Sequence, residues 1–302
     1  MLIKLKPGLH LDVPAAEYHS DPCETPSLSS SIAKVMLEQT PAHAWLKHPR
    51  LNPRFTPSHD EKFDLGSVVH ELMLGRGGGI EIIDGADYRT KDARQRRDDA
   101  RLAGLTPILS HQYHEAQQIS EAATKALKEI HGCESFFHAG AKSEAVIVWQ
   151  DIGGPLCRAM LDRWSVPDVY DVKTTAAGLS DAAIARTIVN FGYDISAAFY
   201  LRGLTKLDPN ETHFLWVFVE IEPPYEVRVV KCDATTLAMG DRKAATAIEK
   251  WRRCMESGQW PGYLRKIGRV DYPSWAEAQW LERELVDPDF ANSVLSNTVT
   301  SR

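Results

Sequence analysis

The strongest constraint on the fold of this chain is a pair of short apolar segments that carry charged residues. Residues 161–164 contain Asp162, and residues 170–175 contain Asp171 and Lys173. Both segments have the alternation typical of β-strands, and the Pro- and Asp-containing stretch between them predicts a turn. Because strand side chains alternate between faces, Asp171 and Lys173 project from one face, and Asp162 converges on it from the neighbouring strand.

Two carboxylates beside an amine are costly to bury, because each charged group loses its hydration. Such a cluster usually serves a metal ion or a substrate. Carboxylate oxygens bind Mg²⁺, and a lysine beside the metal can orient a water molecule or stabilise a developing anion. The cluster therefore outlines a site for cleaving phosphodiester bonds. The alternative is a surface ion pair of Asp171 and Lys173 on an edge strand, which would contribute little.

The composition is that of a globular protein, since 302 residues with 43% hydrophobic and 25% charged side chains can bury a large core. The net charge of −6 excludes a surface covered in positive charge, but a local basic groove would suffice to bind nucleic acid. Five scattered cysteines without a CxxC pair favour reduced thiols over metal clusters. Without a signal peptide or a run of about 18 apolar residues, we expect a soluble cytoplasmic protein with no membrane partner.

Helical and strand patterns alternate along the chain and predict an α/β domain with a central mixed sheet flanked by helices. Residues 1–26 indicate an extended lead-in, and Ser29 to Ser31 offer N-caps for the first helix. Beyond Trp260 the chain is interrupted by prolines and ends in a frayed segment. The predicted helices span residues 32–37, a short stretch from Pro41, 63–74, 88–103, 111–131, 181–204 and 235–255. The predicted strands span residues 80–83, 143–150, 156–164, 168–174, 213–221 and 225–232.

An ordered set of motifs surrounds the charged pair of strands. The set comprises residues 66–72, 161–162, 171–175 and 193–200, accompanied by residues 18–21, 28–31, 40–43, 88–91 and 103–109. Together these motifs, which extend over roughly residues 15–260, resemble the PD-(D/E)XK nuclease superfamily. More narrowly, they resemble the RecE or exodeoxyribonuclease VIII-like proteins of phages and prophages, which have a RecB-like nuclease domain.

The resemblance implies a restriction-endonuclease-like α/β core, with a central mixed sheet flanked by helices, over residues 61–260. Residues 1–60 would be a lead-in with helices packed on this core, and residues 261–302 a partly flexible extension. The implied activity is metal-dependent hydrolysis of double-stranded DNA from its ends, 5′ to 3′, in phage-type recombination. The implied partners are a single-strand-annealing recombinase and further copies of the chain in a ring-shaped homo-oligomer.

Residue by residue, the resemblance makes His70, Asp162 and Asp171 the ligands of Mg²⁺ or Mn²⁺. It makes Lys173 the catalytic lysine and also counts Asp162 and Asp171 among the catalytic residues. A neutral imidazole among carboxylates suits Mn²⁺ as well as Mg²⁺, although a lone histidine on an apolar helix stripe is more often packed or hydrogen-bonded. One position departs from the pattern: Ser196 stands where many relatives carry a glutamine, so it has no amide to contact DNA or the attacking water.

Further candidate residues each have two readings. Glu144 is either another acid near the metal or a solvated strand end. Arg158, on the same strand face as Asp162, either contacts a phosphate or forms a structural salt bridge. Tyr193 more often packs the helix than stacks on a base. A basic segment is either a solvated helix face or an arm over DNA phosphates. It contains Arg89, Lys91, Arg94 and Arg97.

Three classes of function stay open at this point. The favoured one is an exonuclease acting on DNA ends. A catalytically weak or inactive DNA-binding protein that assists recombination would keep the same fold, and Ser196 is the feature that favours it. An endonuclease of a restriction or defence system ranks lower, because the sequence contains no evident additional recognition domain.

Overall fold

The computed structural model describes residues 4–57, 61, 64–208, 210 and 212–286. They belong to two compact units, Met1–Gly262 and Tyr263–Arg302. Phe63, the predicted start of a helix, and the end of the chain that we expected to be frayed lie outside the described residues. The three predicted segments, with boundaries after residues 60 and 260, stay predictions.

The secondary structure alternates between helices and strands, as the sequence predicts. The strands are β1 (Gly8–His10), β2 (Leu28–Ser29), β3 (Ile80–Ile83), β4 (Thr106–Leu109), β5 (Lys142–Gln150), β6 (Leu156–Ser165), β7 (Asp168–Thr175), β8 (His213–Glu220) and β9 (Val227–Lys231). The α-helices are α1 (Ala15–His19), α2 (Ser30–Glu38), α3 (Pro41–Lys47), α4 (Asp64–Leu74), α5 (Lys91–Leu102), α6 (Ser110–Glu129), α7 (Asp181–Asn190), α8 (Tyr193–Leu207), α9 (Ala234–Ser257) and α10 (Ser274–Val286).

A mixed sheet forms the centre of the first unit, with the strand order β1-β5-β6-β7-β8-β9. Strands β5, β6 and β7 form an antiparallel meander, and β8 joins β7 in parallel after the chain passes through α7 and α8. The short strand β2 pairs in parallel with β6. A separate pair of parallel strands, β3 and β4, lies outside this sheet.

Helices cover both faces of the sheet. On one face, α2, α8 and α9 pack around a core that contains the fully buried Trp149 and Trp251. On the other face, α4 and α6 pack against β7 and β8, and Val172 belongs to this second core. Since Val172 alternates with Asp171 and Lys173 along β7, these two charged residues face the side of α2 and α8. This architecture confirms the predicted α/β fold with a central mixed sheet flanked by helices.

Two expectations about individual elements are wrong. The helix predicted over 181–204 is two helices, because Gly192 adopts a left-handed conformation (φ 60°) between α7 and α8. The lead-in is not extended throughout, since it contains α1. Beyond Trp260, where the sequence predicts interruptions by proline, the chain also forms α10, a helix that was not predicted. The carbonyl of Pro273 accepts its first hydrogen bonds, and proline is tolerated at a helix start.

Two smaller expectations concern thiols and membranes. All five cysteines are free, as the sequence predicts, and all five are buried. Among the described residues, none of the helices has the length and apolar character needed to cross a bilayer.

Candidate active site between two strands

The candidate site lies where two neighbouring strands separate. Strand β6 pairs with β7 only from Arg163 to Ser165, whereas β7 continues beside β8 to its end. Farther along the same edge, β6 pairs with β2 through Cys157 and Arg158. Between these two partners the ladder is open, and the Oδ2 of Asp162 accepts the hydrogen bond of the Val172 amide at 2.8 Å. A carboxylate thus takes the position of a backbone acceptor inside the sheet.

One ammonium group serves both aspartates. The Nζ of Lys173 lies 2.7 Å from Asp171 Oδ2 and 4.0 Å from Asp162 Oδ2. It also donates a hydrogen bond to the carbonyl of Val172 at 3.3 Å. The reading of these residues as a surface ion pair on an edge strand is wrong, because β7 lies between β6 and β8 and both aspartates are largely buried.

The helix α4 brings His70 to the same point, with its Nε2 3.1 Å from Asp162 Oδ2. Gly66 lies one turn earlier on this helix, and a Cβ added there would come within 2.6 Å of Thr174 Oγ1. Residues four apart share a face of a helix. The missing side chain of Gly66 therefore lets α4 approach β7 closely enough for His70 to reach Asp162.

The site combines opposing effects on its ionisable groups. Burial raises the pKa of Asp162, but the charges of His70 and Lys173 outweigh it and lower this pKa to about 2. For Asp171, burial raises the pKa and Asp162 adds to the rise, while Lys173 opposes it. Burial lowers the pKa of Lys173, yet Asp171 and Asp162 together raise it above its usual value. For His70, burial lowers the pKa, but the charge and the hydrogen bond of the Asp162 carboxylate outweigh burial and raise it.

Glu144 on β5 is a further acid at this site. It is 6% exposed, so the reading as a solvated strand end is wrong. Its backbone is left-handed (φ 49°), a rare conformation for a side-chain-bearing residue, and the pairing of β5 with β6 is interrupted opposite Asp162. Burial raises the pKa of Glu144, the charges of His70 and Arg76 lower it, and Asp162 raises it further. The Glu144 carboxyl therefore interacts electrostatically with His70 and Asp162, and its Oε2 lies 3.8 Å from Arg76 Nε.

Lys34 also reaches the site, and the sequence reasoning missed it. Because β2 runs directly into α2, this helix begins at the open stretch of the β6 edge. The Nζ atoms of Lys34 and Lys173 both lie 5.4 Å from the ring centroid of Tyr193. Burial and the charge of Lys173 lower the pKa of Lys34, while Asp171 opposes this shift. The available signal was the motif 28–31, which marks the start of the helix that carries Lys34.

One face of α8 completes the site. Tyr193, Ser196 and Tyr200 are spaced by three and four residues and so share a helical face. Tyr193 contacts Lys173 through its ring, and the hydroxyl of Tyr200 accepts a 3.5 Å hydrogen bond from Ser30 Oγ. Ser196 lies between them and is buried. Its short side chain occupies the position where the resemblance to RecE-like nucleases predicts a glutamine.

The structure does not bring the remaining candidates to the site. Arg158 is 3% exposed; its Nη1 lies 3.1 Å from Asp21 Oδ1 and donates to the carbonyl of Ser27 at 2.7 Å. These contacts form the structural salt bridge, and a buried guanidinium is not available to a phosphate.

The basic segment around α5 pairs mainly with local acceptors. Arg97 contacts Glu61 and Asp98 at 2.7 and 2.9 Å. Arg89 lies 3.0 Å from Asp87, and Arg94 donates to the carbonyl of Arg89 at 2.6 Å. Lys91 is exposed. These contacts favour a solvated helix face, and contacts of this segment with DNA stay a prediction.

The donor set suits a hard divalent cation, although it is not preassembled. In the part of the chain that the structure describes, no group of three His, Cys, Asp or Glu side chains is arranged to hold a metal. Yet Asp162, Asp171 and His70 offer the oxygen and nitrogen donors that Mg²⁺ and Mn²⁺ accept. The buried Oδ2 of Asp171 has no aligned hydrogen-bond donor among the described residues. The two carboxylates already share one cation, the ammonium of Lys173. We therefore conclude that His70, Asp162 and Asp171 suit a divalent metal ion.

Comparison with known proteins agrees with this fold. Residues 29–273 match the family described as "PDDEXK-like domain of unknown function (DUF3799)". The chain belongs to this family. No curated protein matches the PDDEXK-like chain. A PDDEXK-like domain of this architecture supports a nuclease, with DNA as its substrate.

Two solved structures are similar to the PDDEXK-like chain to different extents. One, from Eubacterium rectale, is named "Putative exonuclease"; it superposes with a TM-score of 0.58 at 11% identity, covering 87% of this chain and 97% of the other. This likeness shows the fold. The other, SSO0001, has a TM-score of 0.25 at 17% identity, covering 64% of this chain and 87% of the other, and supports no argument.

Proposed function

We propose that the protein is a metal-dependent exodeoxyribonuclease that degrades double-stranded DNA from its ends, 5′ to 3′, in phage-type recombination. The observation that carries the hydrolytic part is the ammonium of Lys173, held 2.7 and 4.0 Å from two buried carboxylates where β6 and β7 separate. The exonuclease mode and the polarity rest on the resemblance to RecE-like proteins.

In this proposal His70, Asp162 and Asp171 hold Mg²⁺ or Mn²⁺, and Glu144 is a candidate further ligand. A bound divalent cation would supply Lewis-acid stabilisation of negative charge on the scissile phosphate. The Lys173 ammonium donates hydrogen bonds that orient the attacking water or neutralise a phosphoryl oxygen. Because carboxylates and protein walls surround it, this donor is positioned before the substrate arrives.

The proposal extends to partners and location. The 3′ overhang left by 5′-to-3′ digestion is the substrate of a single-strand-annealing recombinase, which would be the partner protein. A ring-shaped homo-oligomer would place local positive charge around DNA despite the overall charge of −6. The cytoplasm of a bacterium or a phage-infected cell is the compartment in which this reaction would take place.

A second candidate is a DNA-binding accessory protein with a weak or inactive site. The observation that favours it is Ser196, which lies on the site-facing side of α8 between Tyr193 and Tyr200 without the amide of a glutamine. A third candidate, a defence endonuclease, differs from the exonuclease in cutting DNA without ends.

The deciding experiment incubates linear and circular duplex DNA with the protein in Mg²⁺, Mn²⁺ or EDTA. We expect metal-dependent loss of the linear form only, and release of label from 5′ ends before 3′ ends. Lys173→Ala and Asp171→Ala should each lower the rate by about 100-fold or more, whereas Lys231→Ala, at an exposed lysine of β9, should leave it unchanged.

Each other result points to a different conclusion. Cutting of the circle would identify an endonuclease. Binding of DNA without loss of either form would favour the accessory protein. Cleavage that persists in Lys173→Ala and Asp171→Ala would contradict the proposed site.

A further inference from the structure

Beside the candidate active site, Phe191 presents an aromatic ring to solvent. The residue is 60% exposed, and its ring stacks on that of Tyr193 with centroids 5.7 Å apart and planes 21° apart. Tyr193 in turn lies against the ammonium of Lys173. An exposed apolar residue alone needs no explanation. The ring of Phe191, however, stacks on Tyr193, which itself contacts a charged group of the site.

The backbone holds Phe191 in place without burying its side chain. The amide of Phe191 donates to the carbonyl of Thr187 at 3.0 Å at the end of α7. Its own carbonyl accepts a hydrogen bond from Lys34 Nζ at 3.0 Å. Gly192 then turns the chain into α8 through its left-handed conformation. A ring fixed in this way loses little further freedom when a ligand stacks on it.

The charges around the stack match one class of ligand. Two ammonium groups, from Lys34 and Lys173, lie 5.4 Å from the centroid of Tyr193. A flat apolar ring beside ammonium groups matches a nucleotide, whose base stacks on an aromatic face while its phosphate meets a positive charge. Within a duplex, neighbouring bases cover both faces of each base. The ring therefore suits a base that is unpaired.

We propose that Phe191 is a stacking platform for an unpaired base of single-stranded DNA, and that Lys34 contacts a phosphate of the same strand. This assignment deepens the proposed nuclease function and rests on it, because the platform adjoins Lys173. It would hold a strand in position next to the site and would favour DNA with an unpaired segment over blunt duplex.

The test measures binding in EDTA, where cleavage does not interfere, with a short single strand carrying 2-aminopurine and a terminal dye. Stacking quenches the 2-aminopurine emission, and anisotropy of the dye reports affinity. Phe191→Ala should weaken binding by about 5- to 150-fold, the range of one base–aromatic stack, and abolish the quenching. Phe191→Trp should retain both signals. The matched control is Val189→Ala on α7, since Val189 is also exposed, at 65%.

Lys34→Gln tests the phosphate contact through a second readout, the salt dependence of binding. It should weaken binding and lower the slope of log affinity against log salt by about one, as expected for one lost phosphate contact. Wild-type affinity and quenching in Phe191→Ala would overturn the platform, as would equal losses in Val189→Ala.

Cleavage assays separate this proposal from the nuclease itself. Wild-type protein that binds and quenches the probe but leaves linear DNA intact in Mg²⁺ and Mn²⁺ would refute the nuclease and support the platform. Cleavage by wild-type protein together with unimpaired binding by Phe191→Ala would refute the platform alone.

Discussion

Gly66→Ala is the sharpest test of how the fold assembles the site. The added Cβ would lie 2.6 Å from Thr174 Oγ1, far inside van der Waals contact, whereas Thr174 Cβ stays at an ordinary 3.7 Å. Replacing glycine by alanine within a helix stabilises it by about 1 kcal/mol, and overpacking of this kind costs about 1–3 kcal/mol. The cost of the clash should therefore exceed the gain in helix propensity, so that Gly66→Ala lowers the free energy of unfolding by up to about 2 kcal/mol.

Thr174→Ala removes the clashing oxygen and should reverse the sign of the effect that Gly66→Ala has on stability. In that background only the helix propensity of alanine remains, so Gly66→Ala should stabilise the protein by up to about 1 kcal/mol. Urea unfolding of the wild type, both single variants and the double variant gives the coupling energy, which we expect to be about 1–3 kcal/mol. The same sign of effect in both backgrounds would refute the close approach of α4 to β7.

The remaining predictions concern a buried ion pair and Ser196, the position at which the resemblance predicts a glutamine. Burial raises the pKa of Asp21, but His48, Arg158 and Ser27 outweigh it and lower this pKa below 3.8. The ionised Asp21 therefore stabilises the folded state above pH 3.8, and this stabilisation is lost as the pH falls through the lowered pKa. Asp21→Asn leaves Arg158 without its carboxylate partner and should lower the free energy of unfolding by about 3 kcal/mol near pH 7. Urea unfolding between pH 3 and 7 should show this difference shrinking in acid, and a constant difference would contradict it. Ser196→Gln should raise the rate of metal-dependent DNA cleavage. An unchanged or lower rate would show that the missing amide at position 196 does not limit cleavage.

The sequence predicted the elements that depend on local pattern. Ser29 caps α2 as expected, with its Oγ accepting the amide of Ile32 at 3.4 Å. The alternation around Asp171 and Lys173 correctly placed both side chains on one face of a strand. The break at Gly192 was missed, because both flanking segments have helical patterns and only the backbone conformation of that one residue separates them.

The remaining parts of the site come from residues far apart in the chain. Lys34 reaches Tyr193 because β2 pairs with the free edge of β6, a contact that no local pattern encodes. Glu144 is buried where the β5–β6 pairing is interrupted, and the charge of His70 opposes the rise of its pKa there. Arg158 shares the strand face of Asp162 but pairs with the distant Asp21, so its role could not be decided from alternation.

By itself, then, the sequence determined the α/β pattern, the hairpin with its two aspartates and lysine, and the resemblance that joins His70 to them. Only the tertiary structure decided that β6 and β7 separate at Asp162, that one ammonium serves both carboxylates, and that Lys34 and Glu144 join the site. The physical reason is the distance along the chain over which each kind of interaction acts. Periodicity and capping act over a few neighbouring residues, whereas burial, charge compensation and strand pairing depend on segments that meet only when the chain is folded.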